Sequence, residues 1–146
     1  MDTYSELIPE LATWNDGVGI PVEAWIVGIG RTDQAVGYAA LFWPEFVSFE
    51  GYVFRAPVNV ERLRGWEIGG KATRQQIETA MNMLFLEHVF PDDDTPEELF
   101  DARLNHLVVQ MEEMLLAKLG RQFPERTFSV FVIDDGDDFG ISFHQS

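Results

Sequence analysis

Phe128-Ser129-Val130-Phe131-Val132-Ile133, then Asp134-Asp135-Gly136-Asp137-Asp138, then Phe139-Gly140-Ile141-Ser142-Phe143: this stretch carries the strongest β signal in the chain. Two apolar runs rich in aromatic and β-branched residues flank five residues of aspartate and glycine, the composition of a hairpin turn. Paired antiparallel, they give a small sheet.

Working outward, residues 46–55 (FVSFEGYVFR) have the same character and read as a strand or a small hairpin turning at Glu50-Gly51. The rest is mostly helical in pattern. Residues 4–14 form an amphipathic segment stopped by Asn15-Asp16-Gly17. Pro21 can open a helix through Glu23, Trp25 and Ile26 to Gly28 and Gly30, although the same apolar run suits a buried strand. Residues 33–43 read as a helix, with a strand as the alternative, and end before Pro44. Residues 73–89 place Ile77, Ala80, Met81, Leu84, Phe85 and His88 at helical spacing. In the clearest helix Thr95 is the expected cap, Pro96 lies in the first turn and Glu98 completes a capping box. Its buried face is Phe100, Leu104, Leu107, Met111, Met114 or Leu115, and Leu119, and Gly120 is the expected stop. The class that follows is α+β, predominantly helical, with a small antiparallel sheet covered by helices. That sheet is the C-terminal hairpin plus the strand near residues 46–55.

The chain has 146 residues, 46% of them hydrophobic, enough for the core of one domain, and no repeat or low-complexity linker divides it. Cysteine is absent, which excludes a disulfide framework, a thiolate metal site and a cysteine nucleophile. The opening MDTYSELIPELATW bears acids where a secretory leader bears Lys or Arg, and no apolar run approaches the ~20 residues that span a bilayer. A cytoplasmic protein without membrane attachment is expected.

Net charge is −15, from 25 acids and 10 bases. Its distribution is uneven. Residues 1–54 hold eight acids and only Arg31; residues 55–74 hold Arg55, Arg62, Arg64, Lys71 and Arg74 against Glu61 and Glu67; residues 75–146 hold fifteen acids and four bases. Such a field repels nucleic acid and anionic membranes and attracts cationic partners, although acidity also serves solubility alone. The basic stretch can pair with the chain's own acids or with a second copy.

The sharpest catalytic lure is Gly65-Trp66-Glu67-Ile68-Gly69-Gly70-Lys71, which has the spacing of a phosphate-binding loop, G-x-x-x-x-G-K. A true loop continues with a magnesium-binding hydroxyl, and here Ala72 follows, with Thr73 one position late. Glu67 sets a negative charge inside the cradle, and residues 60–64 do not read as the strand that such a loop leaves. A glycine-rich turn is the plainer account. Gly28-Ile29-Gly30 lacks the third glycine of a dinucleotide fingerprint, since Asp33 stands in its place. The aspartate runs lack the alternating ligands of a calcium loop and read as solvated turns. His88, His106 and His144 are too scattered for a metal site, His88 being expected in the core. No cofactor, metal or catalytic residue is predicted. Trp43, at the proline-broken junction Trp43-Pro44-Glu45-Phe46, belongs either to the core or to an exposed interface anchor.

The run LFWPEFVSFEGYVF of residues 41–54, with the amphipathic helices and the closing ISFHQ, resembles a group of small uncharacterised bacterial proteins. In size, acidity and lack of catalytic motifs the chain is also similar to bacterial immunity proteins, which neutralise toxins by binding them. That likeness implies an inhibitor engaging a basic protein such as a nuclease. The residues expected to do so are Asp92, Asp93, Asp94, Glu97 and Glu98, with Asp134, Asp135, Asp137 and Asp138 as a second patch and Trp43 as an aromatic anchor. A nucleotide-binding enzyme built on Gly65 to Lys71, and a homodimer subunit burying an apolar face, are the other readings.

Overall fold

The computed structural model describes residues 3–146. Helices α1 (Thr3–Leu7) and α2 (Glu10–Thr13) replace the one helix read over residues 4–14. Pro9 has no N–H to extend the first helix and instead opens the second. Asn15, Asp16 and Gly17, all at positive φ, then turn the chain away. Both ambiguous apolar stretches are helical, as α3 (Val22–Ile29) and α4 (Thr32–Phe42), the latter ending at Trp43 before Pro44. Strands β1 (Phe46–Phe49) and β2 (Tyr52–Arg55) form the hairpin expected at Glu50-Gly51, whose φ values of 52° and 87° match a two-residue turn of the left-handed kind.

Next come α5 (Val60–Glu67) and α6 (Arg74–Met81). A capping box opens α6: Thr73 Oγ1 accepts the N–H of Gln76, and the Gln76 side chain accepts that of Thr73. The helix read to residue 89 stops early. Asn82 turns its amide onto β2, Leu84–Phe85 becomes strand β3, and Leu86–Val89 forms the short helix α7. Gly140 makes that strand possible, because a Cβ there would collide with the Leu84 carbonyl oxygen. Helix α8 (Glu97–Gln122) is capped by Pro96 without a side-chain bond, so the Thr95 capping box does not form. Thr95 instead gives its N–H to Asp93. The helix also runs through Gly120, held by Gln122, whose amide brackets Phe46 N–H and C=O at the edge of β1. Strands β4 (Phe128–Asp135) and β5 (Asp138–Gln145) form the C-terminal hairpin, with Gly136 at φ 64° in its loop.

The fold is α+β, with the strands in two antiparallel sheets rather than one: β1-β2, and β3-β5-β4. Helix α6 explains the separation. Glu78 and Asn82, one turn apart, occupy the edge of β2 as a neighbouring strand would. Glu78 accepts the Val53 N–H at 2.9 Å, Asn82 Nδ2 donates to Val53 O at 2.9 Å, and Asn82 Oδ1 accepts the Arg55 N–H at 3.3 Å. Glu78 also accepts the backbone N–H and side-chain amide of Gln145 on β5. The two sheets are therefore stitched through this carboxylate, beside a direct bond from Gln145 Nε2 to Gly51 O at 2.9 Å in the β1–β2 turn.

The principal core lies where Leu104, Val108, Met111, Leu115 and Leu119 of α8 meet Ile141 and Phe143 of β5. A second cluster joins Tyr52, Phe54, Leu63 and Ile77. Strand β2 is shared, Val53 facing the first cluster and its two neighbours the second, as the period-two alternation of a strand requires.

Candidate functional site

The nine predicted acids fall in two groups, one at the start of α8 and one at the tip of the β4–β5 hairpin. Asp92, Asp93 and Asp94 lie between α7 and α8, and Glu97 and Glu98 open α8, where negative charge complements the helix dipole. All five are exposed. Asp93 is held below the ordinary carboxylate value by the Thr95 hydroxyl first and its N–H second, with Arg103 adding a smaller attraction. Beside it a surface depression of about 430 Å³ is lined by Pro9, Glu10, Asp93, Asp94, Leu99 and Arg103 among others. Sequence reasoning missed Glu10, which comes from α2 and meets the aspartates only through folding. Arg103 also borders the depression, its Nε donating to Leu7 O at 2.7 Å and its Nη1 to Thr95 Oγ1 at 3.3 Å, and its charge offsets part of the negative field.

Asp134, Asp135, Asp137 and Asp138 crown the β4-β5 hairpin, all exposed. The nearby Glu87 carboxylate accepts the Phe139 N–H and adds to the negative tip. These four residues do not line the depression. Among the described residues, ion pairs involve Asp33, Glu45, Glu50, Glu67 and Glu125, and none of the nine predicted acids. No group of three carboxylate or imidazole side chains among them is placed to hold a metal ion.

The basic stretch is largely used internally. Arg64 bridges Glu50 and Glu67, Arg62 donates to Ala80 O, and Arg74 stacks on Tyr52 at 3.9 Å while donating to Glu50 O. Arg64 holds the Glu50 carboxyl below its usual range, and the two glutamates raise the guanidinium in turn. Arg55 is the anomaly. Burial lowers it to about 10, its Nε and Nη2 have no hydrogen-bond partner, and it lies 5.9 Å from the centre of the Phe143 ring.

Gly65, Trp66 and Glu67 belong to helix α5, and the following turn leads to a helix already capped by Thr73. The segment therefore lacks the strand–loop–helix form in which free amides cradle phosphate. Trp43 is 37% exposed, with the Lys118 ammonium 5.3 Å from its ring, away from both acidic loops in sequence and in the lining of the depression. His88 is exposed at the edge of Phe85 rather than in the core, because α7 is too short to carry the stripe read through it.

A second surface emerges from α3 and α4, in neither of which is any residue fully buried. Val27 is 87% exposed, Val36 71% and Ile26 49%. Two adjoining hollows of about 490 and 590 Å³ flank these two helices, sharing Trp25, Ile26 and Tyr38 in their walls. Among the described residues no helix is long and apolar enough to cross a membrane. No family model matches the chain, and no curated protein or solved structure matches it significantly.

Proposed function

We propose that this chain is a binding protein of immunity type, which engages a basic protein partner through its unpaired carboxylates. The observation that carries the reading is the depression where Glu10 meets Asp93 and Asp94. Three acids from two distant segments line a hollow whose one cation among the described residues, Arg103, forms no ion pair with them, so the lining keeps a formal charge of −2. A lysine or arginine of the partner fits there as the counterion, and Glu97, Glu98 and the hairpin acids Asp134, Asp135, Asp137 and Asp138 extend the field that steers its approach. Trp43 does not line the depression. The reading places the protein in the cytoplasm, where a partner made in the same cell is met.

An oligoarginine peptide tests the site at low salt. Wild-type protein binds it, and binding fades as salt screens the charges. Neutralising Glu10, Asp93 and Asp94 to their amides weakens binding by about tenfold. Amides at three exposed acids elsewhere, Glu61, Asp101 and Glu113, leave it within about twofold. Equal losses in the two sets would mean that net charge alone binds the peptide, and the assigned site would be abandoned.

A further inference from the structure

We propose that the segment of α3 and α4, residues 22–42, is an interface with a second copy of this chain, formed about a two-fold axis. The inference is independent of the acidic site above. It starts from composition. Residues 22–42 hold three charged side chains, Glu23, Arg31 and Asp33, against fifteen that are apolar or glycine. Arg31 and Asp33 close on each other at 2.9 Å. A helix so apolar buries at least one face in a stable assembly, yet here only the end of α4, at Leu41 and Phe42, packs on the main core, and no residue of either helix is fully buried.

The total surface area leaves room for such an interface. A folded monomer of 16.7 kDa is expected to expose about 7,600 Å². This chain exposes 9412 Å², roughly a quarter more. The excess is larger than the ~800 Å² that each partner contributes to a standard interface and falls in the range of obligate dimers.

Charge selects the occupant. With a net charge of −15, two copies repel over most of their surfaces, and this segment is the near-neutral part through which they can approach. It offers no excess of acid to a basic partner. A bilayer is a poor occupant as well, because an eight-residue helix is about 12 Å long against the ~30 Å of a hydrocarbon core. Trp25, Ile26 and Tyr38, shared by both hollows, supply the anchors, and Val27 and Val36 broaden the apolar face. Two-fold symmetry makes the contact self-complementary, so each copy of the segment is ligand and site at once.

Sedimentation and light scattering on the whole chain across a range of concentrations test the inference, at about 0.1 and 1 M salt. The expected result is a closed species of twice the 16.7 kDa chain mass, tighter at high salt where repulsion is screened. Ile26→Asp and Val27→Asp each weaken it by at least about tenfold, since each would bury an unpaired carboxylate. Val27 is so exposed that its variant keeps the monomer fold, which circular dichroism checks. Val109→Asp, on the exposed face of α8, leaves the dimer intact. A monomer at every concentration overturns the proposal and leaves the segment to a different partner. So does a dimer that Ile26→Asp and Val27→Asp both leave untouched, or a mass that climbs without limit.

Discussion

Replacing Glu78 with alanine isolates the carboxylate that bonds to both sheets. The side chain is 3% exposed and lies on α6, between Val53 of β2 and Gln145 of β5. Its two oxygens accept three hydrogen bonds: Val53 N–H at 2.9 Å, Gln145 N–H at 2.5 Å and Gln145 Nε2 at 2.7 Å. Val53 is fully buried, so its N–H would be left dry, at a cost of about 1–3 kcal/mol. Gln145 is only half-buried, and its two donors recover water, each losing about 0.5–1 kcal/mol. The total is about 3 kcal/mol, a large share of the ~5–15 kcal/mol by which a domain is stable. In a chain of this length that corresponds to a melting point lowered by about 6–12 °C. Urea unfolding gives the same quantity independently. The double variant with Asn82→Ala should lose less than the sum of the single losses, because both residues serve the same edge of β2. A loss below about 1 kcal/mol for Glu78→Ala would refute the reasoning, since the β2 edge would then have another source of satisfaction.

Arg55→Met should stabilise the protein by about 1–3 kcal/mol, because it removes a buried, unpaired guanidinium while keeping the volume over Phe143. The depressed value of about 10 fixes the sign with pH: above 10 the folded wild type sheds the unfavourable charge, its stability rises relative to the variant, and the gap narrows. Unfolding midpoints compared at pH 7 and above 10 check both statements. Glu50 behaves in the opposite sense. Its folded value lies below 4.5, so the contribution of its pair with Arg64 is complete above that pH and disappears as pH falls through the folded value. Nuclear magnetic resonance titration of Arg64→Ala should return the Glu50 midpoint towards 4.5, and an unmoved midpoint would assign the shift to another cause.

The C-terminal hairpin was legible, and the one at Glu50-Gly51 was one of two readings, because strand pattern and turn chemistry are local. The aromatic alternation around Glu50-Gly51 and the aspartate-glycine turn each specify antiparallel neighbours within a few residues. Helix ends were less so. Thr95 has the composition of a cap, but Asp93 claims its N–H and Arg103 its hydroxyl. Gly120 has the composition of a stop, but Gln122 finds hydrogen bonds on β1 that reward a longer helix. The acids of the candidate site were plain in sequence; Glu10 was not, since the partners of a surface depression converge only when the chain folds.

By itself the sequence determined the α+β class, the C-terminal hairpin turn, the buried stripe of α8 apart from Val108, and the negative field, because each depends on neighbours a few residues away or on a simple sum of charge. Only tertiary structure decided that the strands form two sheets. Glu78 and Asn82 read as ordinary polar positions on a helix, and their role as a substitute strand exists only once α6 lies along β2. It also decided that Ile26, Val27, Ile29 and Val36 of α3 and α4 stay in solvent, for hydropathy records a preference for burial and not whether the chain's own core has room for it.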